Sequence, residues 1–470
     1  MNRLDRFFEV SARGSTFGAE ARGGLVTFIA MAYIIVLNPI ILSGPQDVAG
    51  NQLQFAQVSG VTALVAGLMT ILFGVIARLP FAFAAGLGIN SFLATSVVGT
   101  LTWPEAMGLV VINGLIIVAL AVSGLRRLVF DAVPLQLKIA ITAGIGLFIL
   151  FIGLVDAGFI SATGVPSPPV GLGGGGSGSI TGVPTLVFVL TLLATGILVA
   201  RKVRGGILIG LVAGTVVAVI VEAIWHLGSA QDNPGGWKLS VPTLSGSPFA
   251  LPDLSLLGDI SFSSFSRIGT LAATVLVFTL VFANFFDALG TLTGLSRQAG
   301  LADADGTFPR LRSALIVEGA GAVAGGAASA SSNTVFIESG AGIEEGARTG
   351  FANLVTGVLF LAAMFVAPLA SIVPTEVAAA ALVIVGAMMV SHLRHIDISE
   401  FSVALPVVLT VAVMPLSYSI ANGIGVGFIS WVVLRAAAGK AREISPLLWV
   451  VAAGFVLYFA RGALQGLAGV

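Results

Sequence analysis

Residues 331–350 read SSNTVFIESGAGIEEGARTG. The stretch is rich in Ser, Asn, Thr and Gly and carries a carboxylate at Glu338, yet the chain around it is mostly apolar. Of 470 residues, 57% are hydrophobic and 9% charged, and the mean hydropathy is +1.05. A soluble domain carries about 25% charged residues. Uncharged runs recur along the whole length, each long enough to cross ~30 Å of hydrocarbon as a helix. The expected fold class is therefore an all-α polytopic membrane protein. The question is why one of its membrane segments is polar.

Composition excludes several function classes first. The net charge is zero, which gives no reason to expect a nucleic-acid partner, and the chain has no cysteine. Disulfides, thiolate metal sites and cysteine nucleophiles are thereby excluded. His226, His392 and His395 lie near segment ends and form no cluster, so no metal site is expected. The first apolar run starts near Leu25, after four arginines, and continues as a full span; it is expected to be retained and not to be a cleaved leader.

Apolar runs predict spans at 25–43, 58–76, 81–98, 106–123, 139–155, 185–200 and 206–221. A second set follows at 268–290, 313–327, 328–346, 351–370, 377–391, 401–416 and 420–434. A further apolar stretch, 447–460, is short enough to be a span, a re-entrant piece or a surface helix. The positions of Lys and Arg test the count. With a cytoplasmic N-terminus, all of them fall inside except Lys238, Arg267 and Arg461, and the outer loops after spans one, three and five have none. Arg126 and Arg127 are among those placed inside. The reading is a multi-pass protein of the cell (inner) membrane with fourteen segments.

Seven is odd, so two seven-span halves enter the membrane with opposite orientation, as in inverted-repeat transporters. The expected organisation is an N-terminal cytoplasmic segment at 1–24, a first repeat at 25–225, an extracytoplasmic linker at 226–267, a second repeat at 268–437 and a C-terminal segment at 438–470. The linker is rich in Gly, Pro and Ser. A second flexible loop, GVPSPPVGLGGGGSGSITGVP at 164–184, falls between spans five and six.

Spans three and ten occupy the same place in their halves, and both make poor helices. They read FAFAAGLGINSFLATSV and GGAASASSNTVFIESGAG. Glycine and small residues disfavour a continuous helix. Non-helical backbone at membrane depth is tolerated only when buried in protein or lining a cavity. Small residues also serve simply to pack helices closely. Matching interruptions in two halves nevertheless point to a transporter binding site.

Two carboxylates lie well inside spans: Asp287 in span eight and Glu338 in span ten. Acids there are costly and mark ligand or proton pathways by default. An ionised carboxylate accepts N–H donors on both oxygens, and either acid is a candidate proton carrier. The bland reading is a neutral acid hydrogen-bonded to a neighbouring helix. Glu318, Glu222, Glu105 and Glu376 read as closer to interfaces and mainly structural. Asn90 and Asn333 bring amides to the broken spans, for ligand contact or for capping a half-helix. Phe285 and Phe336 flank the acids, where a ring stacks on a planar ligand or simply packs. No P-loop, zinc motif or Ser–His–Asp pattern is present, so neither an enzyme nor an ATP-driven pump is expected.

The chain resembles the AzgA-like purine permeases, a branch of the nucleobase–cation symporters (nucleobase-ascorbate transporters). The resemblance runs through the opening at 3–42, GLGIN at 86–90, LKIAITAGIGLFILFIGL at 137–154, FFDALGTLTG at 285–294, the quoted stretch, and MPLSYSIANGIGVGFISWVVL at 414–434. It implies a uracil-transporter-like fold with short extended stretches in segments three and ten. A core (spans 1–4 and 8–11) would carry the substrate against a gate (spans 5–7 and 12–14), commonly in a homodimer.

The resemblance implies import of adenine, guanine or hypoxanthine by proton symport, with no cofactor beyond the coupling proton. Glu338 becomes the ligand-anchoring acid and Asp287 the second acid, both linked to proton coupling. Gly88 and Asn90 shape the pocket, and Thr334, Asn333, Phe336 and Phe285 line it. The chain departs from the family pattern at Ser332, Asn333, Phe336 and Asn284. Alternatives are another nucleobase (xanthine, urate or uracil), sodium coupling, or an anion transporter or channel of similar architecture. Two carboxylates suit an anion site poorly. The polar run then has a reason: residues 331–334 line a cavity, and a half-helix starting nearby aims its N–H end at the site.

Overall fold

The computed structural model describes residues 3–124, 132–165, 168–238, 240–243, 247, 249–302 and 308–468. Arg126 and Arg127 of the charge reading lie outside these residues. Among the described residues, ten helices are long and apolar enough to cross a membrane. They run from Phe17–Ser43, which has a break at Ala32 and Tyr33, to Ile420–Ala437. Four expected segments are not among the ten. Leu311–Ala327 and Phe401–Leu416 are helices of 17 and 16 residues. Segments three and ten are not continuous helices at all.

Four short strands are present among the described residues: β1 (Phe83–Ala85), β2 (Ile160–Ala162), β3 (Val170–Leu172) and β4 (Asn333–Val335). β2, just ahead of the loop expected to be flexible, pairs as a hairpin with β3 inside it. β1 and β4, from the two interrupted segments, pair antiparallel with Ala84 opposite Thr334. Each is followed by a short helix, Leu87–Phe92 after β1 and Ser339–Glu344 after β4. The pair is extended at both ends, by Gly86 N–H to the Ser332 carbonyl (2.8 Å) and Phe336 N–H to the Ala82 carbonyl (3.0 Å).

The turn entering β4 is strained. Ser329 and Ser331 both hold left-handed backbone (φ 54° and 66°), where residues with a Cβ are uncommon. The turn fits because it lies on Gly325 of the Leu311–Ala327 helix. A Cβ there would overlap the Ser331 carbonyl.

Around this pair the long helices pack in two sets. Phe17–Met31, Phe55–Ile76, Trp103–Ser123, Leu311–Ala327 and Phe351–Ala363 pack on one another. Leu135–Asp156, Val183–Ala200, Gly206–Trp225, Thr375–Val390, Phe401–Leu416 and Ile420–Ala437 form the other set. The Thr270–Gln298 helix touches both. The apolar stretch near 447–460 belongs to a helix, Pro446–Ala468, packed on Ile420–Ala437 and Thr270–Gln298.

Paired glycines bring helix backbones together at three crossings: Gly67 with Gly357, Gly114 with Gly319, and Gly146 with Gly386. Small residues allow this approach, which replaces a hydrophobic driving force that lipid does not supply. A Cβ on Gly114 would lie 2.6 Å from the Gly319 carbonyl oxygen, whereas one on Gly99 would meet nothing within 4 Å. Overpacking of that kind costs about 1–3 kcal/mol. Gly114→Ala is therefore expected to lower the melting temperature of the detergent-purified protein by several degrees, and Gly99→Ala to leave it unchanged. Equal melting of the two variants would remove the crossing from the account of stability.

Candidate functional site

The site is built where the first span breaks and the two interrupted segments meet. Tyr33 stands between helices Phe17–Met31 and Ile34–Ser43 and is fully buried. Its hydroxyl donates to Glu338 Oε1 at 2.5 Å. Glu338 stands at the N-cap position of the Ser339–Glu344 helix, is half-buried, and makes no side-chain capping bond. This half-helix has six residues, so its dipole is short.

Asp287 projects from the Thr270–Gln298 helix, half-buried and within electrostatic range of both Glu338 and Glu318. Glu318 is fully buried mid-helix and accepts the backbone N–H of Val335 in β4 at 3.3 Å. Three carboxylates therefore surround the strand pair, two of them half-open and one sealed.

The amides serve the scaffold. Asn90 lies inside the Leu87–Phe92 helix and donates to Asn38 Oδ1 at 2.6 Å. Asn38 in turn donates to Thr62 Oγ1 at 2.7 Å and to the Ala330 carbonyl at 3.1 Å, tying spans one, two, three and ten together. Asn333 is fully buried with both amide atoms unpartnered, and its Nδ2 lies against Gly325 of the neighbouring helix. Neither Asn caps a half-helix: Gly86 and Glu338 hold those positions. Asn284 donates to Ser332 Oγ at 3.0 Å, fixing the Thr270–Gln298 helix to the segment that leads into β4.

The remaining candidates are placed as follows. Thr334 is buried on β4 with its methyl against Gly86. Gly88 faces the other helix set: a Cβ on it would lie 2.6 Å from Ile145. Phe285 and Phe336 are both buried. The structure thus places Glu338 and Asp287 within electrostatic range of each other, ties the Asn90 amide to Asn38, and gives Gly88 the close approach between helix sets.

Tyr33 and Asn38 escaped the sequence reading. Each carried a signal: Tyr33 is one of three tyrosines beside thirty phenylalanines, and Asn38 is a polar residue inside an apolar span. The other acids are fixtures. Glu105 caps its own helix and pairs with Arg267 at 2.7 Å. Glu222 accepts Trp237 Nε1–H at 2.9 Å, and Glu376 accepts the Lys238 backbone N–H at 3.1 Å.

A family model described as "Permease family" matches residues 18–426. The chain belongs to this permease family, on its AzgA-like side. It is 38% identical to the guanine/hypoxanthine permease PbuG of Bacillus subtilis, over 97% of this chain and 99% of that protein. It is 34% identical to the adenine permease AdeP of Escherichia coli, over 97% and 95%. Among solved structures, the transmembrane domain of the cyanobacterial bicarbonate transporter BicA matches with a TM-score of 0.62, covering 86% of this chain and 97% of that one. At 17% identity that likeness speaks to the fold alone. The chain is a multi-pass membrane permease and not an enzyme.

Removing one partner of a buried hydrogen bond strands the other, at about 1–3 kcal/mol. Asn38→Ala and Asn90→Ala are each expected to destabilise by that amount. The double variant should cost less than the sum, because neighbours in one network are not additive. A thermal double-mutant cycle reads this coupling, and strict additivity would contradict it.

Proposed function

We propose that the chain is a secondary active transporter that imports purine nucleobases by proton symport with alternating access. The observation that carries this is Glu338, half-buried at the junction of two interrupted segments, with Asp287 within electrostatic range. Purines offer planar edges of N–H donors, which an ionised carboxylate accepts strongly. Relatives aligned over nearly the whole chain are named guanine/hypoxanthine and adenine permeases. Purine nucleobase transport is accordingly the activity of this protein, and the coupling ion and residue roles are the proposal.

In this reading Glu338 anchors the base and Asp287 takes the coupling proton. Fourteen segments form two inverted halves, entered from a cytoplasmic N-terminus. Antiparallel strands are related by a local two-fold, and β1 and β4 come from corresponding places in the two halves. Spans four and nine cross through Gly114 and Gly319, as their counterparts eleven and two cross through Gly357 and Gly67. Both features fit the inverted repeat. The helix set holding the strands and Glu338 is the core that moves, and the set around Leu135–Asp156 and Thr375–Val390 is the gate. The homodimer rests on the family resemblance.

Uptake of radiolabelled purines into liposomes under an imposed inward proton gradient tests the reading. Wild type should accumulate purine only with the gradient. Glu338→Gln should lose binding by roughly 10–150-fold, the value of a charge-assisted hydrogen bond. Asp287→Asn should keep purine binding within about threefold, a difference under 1 kcal/mol, while losing gradient-driven accumulation. No uptake of any base by folded protein would overturn the substrate class, and dependence on sodium in place of protons would overturn the coupling.

A further inference from the structure

We infer that Tyr33 is a specificity-determining residue: by donating to one oxygen of Glu338 it weakens that oxygen as an acceptor for a second donor of the base. The inference rests on the purine reading above and deepens it.

An ionised carboxylate has two oxygens and grips paired N–H donors bidentately when both are free. Here they are not. The Tyr33 hydroxyl donates to Oε1 at 2.5 Å, and among the described residues no other side chain hydrogen-bonds to Glu338. Oε2 is the oxygen that has no side-chain donor among the described residues. Tyr33 cannot easily withdraw. It is fully buried, it stands at the break of the first span, and the helix that follows it is pinned by the bonds of Asn38 to Thr62 and Ala330. Glu338 is held as well, in the turn between β4 and the Ser339–Glu344 helix, where the next residue, Ser339, accepts the Ala82 N–H on its Oγ at 2.9 Å. The two groups are held to one geometry by separate scaffolds.

Purines differ in the donors they present. Guanine carries a ring N–H and an exocyclic amine side by side, a pair that matches a free carboxylate. Hypoxanthine carries the ring N–H without that amine. With one lone pair of Oε1 already engaged by Tyr33, the second donor of guanine shares that acceptor and gains less than it would from a free oxygen. Removing the phenol hydroxyl restores the second oxygen and lets guanine take both.

The test measures binding of guanine and hypoxanthine to purified wild type and to Tyr33→Phe, which keeps the ring and deletes only the hydroxyl. In wild type the two bases should bind within about threefold of each other, a difference under 1 kcal/mol. In Tyr33→Phe the ratio should move about tenfold toward guanine, as expected for one recovered charge-assisted hydrogen bond, even if both affinities fall. Equal weakening of both bases with an unchanged ratio would make Tyr33 a structural support only and overturn the inference. Should Tyr33→Phe fail to fold, the wild-type ratio still decides: a preference for guanine of about tenfold or more would mean that both oxygens already serve the base. Failure of wild type to bind any purine would sink the function reading itself, an outcome distinct from binding with the wrong ratio.

Discussion

The antiparallel pairing of β1 with β4 is the interaction on which the rest depends. In hydrocarbon, a backbone N–H or C=O without a partner costs several kcal/mol, and no water is available to relieve it. Two membrane segments that abandon helical bonding midway can do so only by satisfying each other. The six residues of the pair do this, and the bonds from Gly86 to Ser332 and from Phe336 to Ala82 carry it outward. Side chains close what remains. Thr70 accepts the Phe83 N–H, Asn353 donates to the Phe81 carbonyl, and Glu318 accepts the Val335 N–H. Helices two, nine and eleven are thereby locked onto the break.

The site follows from that closure. A break in a segment exposes short helix ends and places a residue such as Glu338 in the middle of the protein without burying it in a helix interface. The surrounding polar groups fall into two kinds. Asn38, Asn90, Asn284 and Glu318 hold the broken segments in place, and Glu338 and Asp287 remain half-open. Sealed polar groups give a rigid frame, and open ones give chemistry; the same distinction separates Glu318 from its two neighbours.

Much of the frame was legible in the chain. Long apolar runs marked helices such as Phe55–Ile76, Trp103–Ser123 and Gly206–Trp225, because a lipid-spanning helix needs little more than length and hydropathy. The glycine- and serine-rich segments three and ten announced their interruption. Boundaries were less legible. The first helix begins at Phe17, ahead of the expected 25, and the Thr270–Gln298 helix runs past 290. In both cases the helix continues beyond the apolar run into residues facing other protein. The β2–β3 hairpin leading into the glycine-rich loop was not foreseen, since three-residue strands leave almost no periodic signal.

Composition and pattern by themselves determined that this chain is a polytopic membrane protein, that two of its segments break, and that Glu338 and Asp287 lie at membrane depth. Those are local properties: length of an apolar run, helix propensity, and the cost of a charge in hydrocarbon. Only the tertiary structure decided which groups meet. Tyr33 reaches Glu338 across 305 positions, Asn90 donates to Asn38, and Gly88 lies close against Ile145. No window of sequence contains both members of such a pair. The direction of a side chain at a broken segment is set by the partner that packing brings to it.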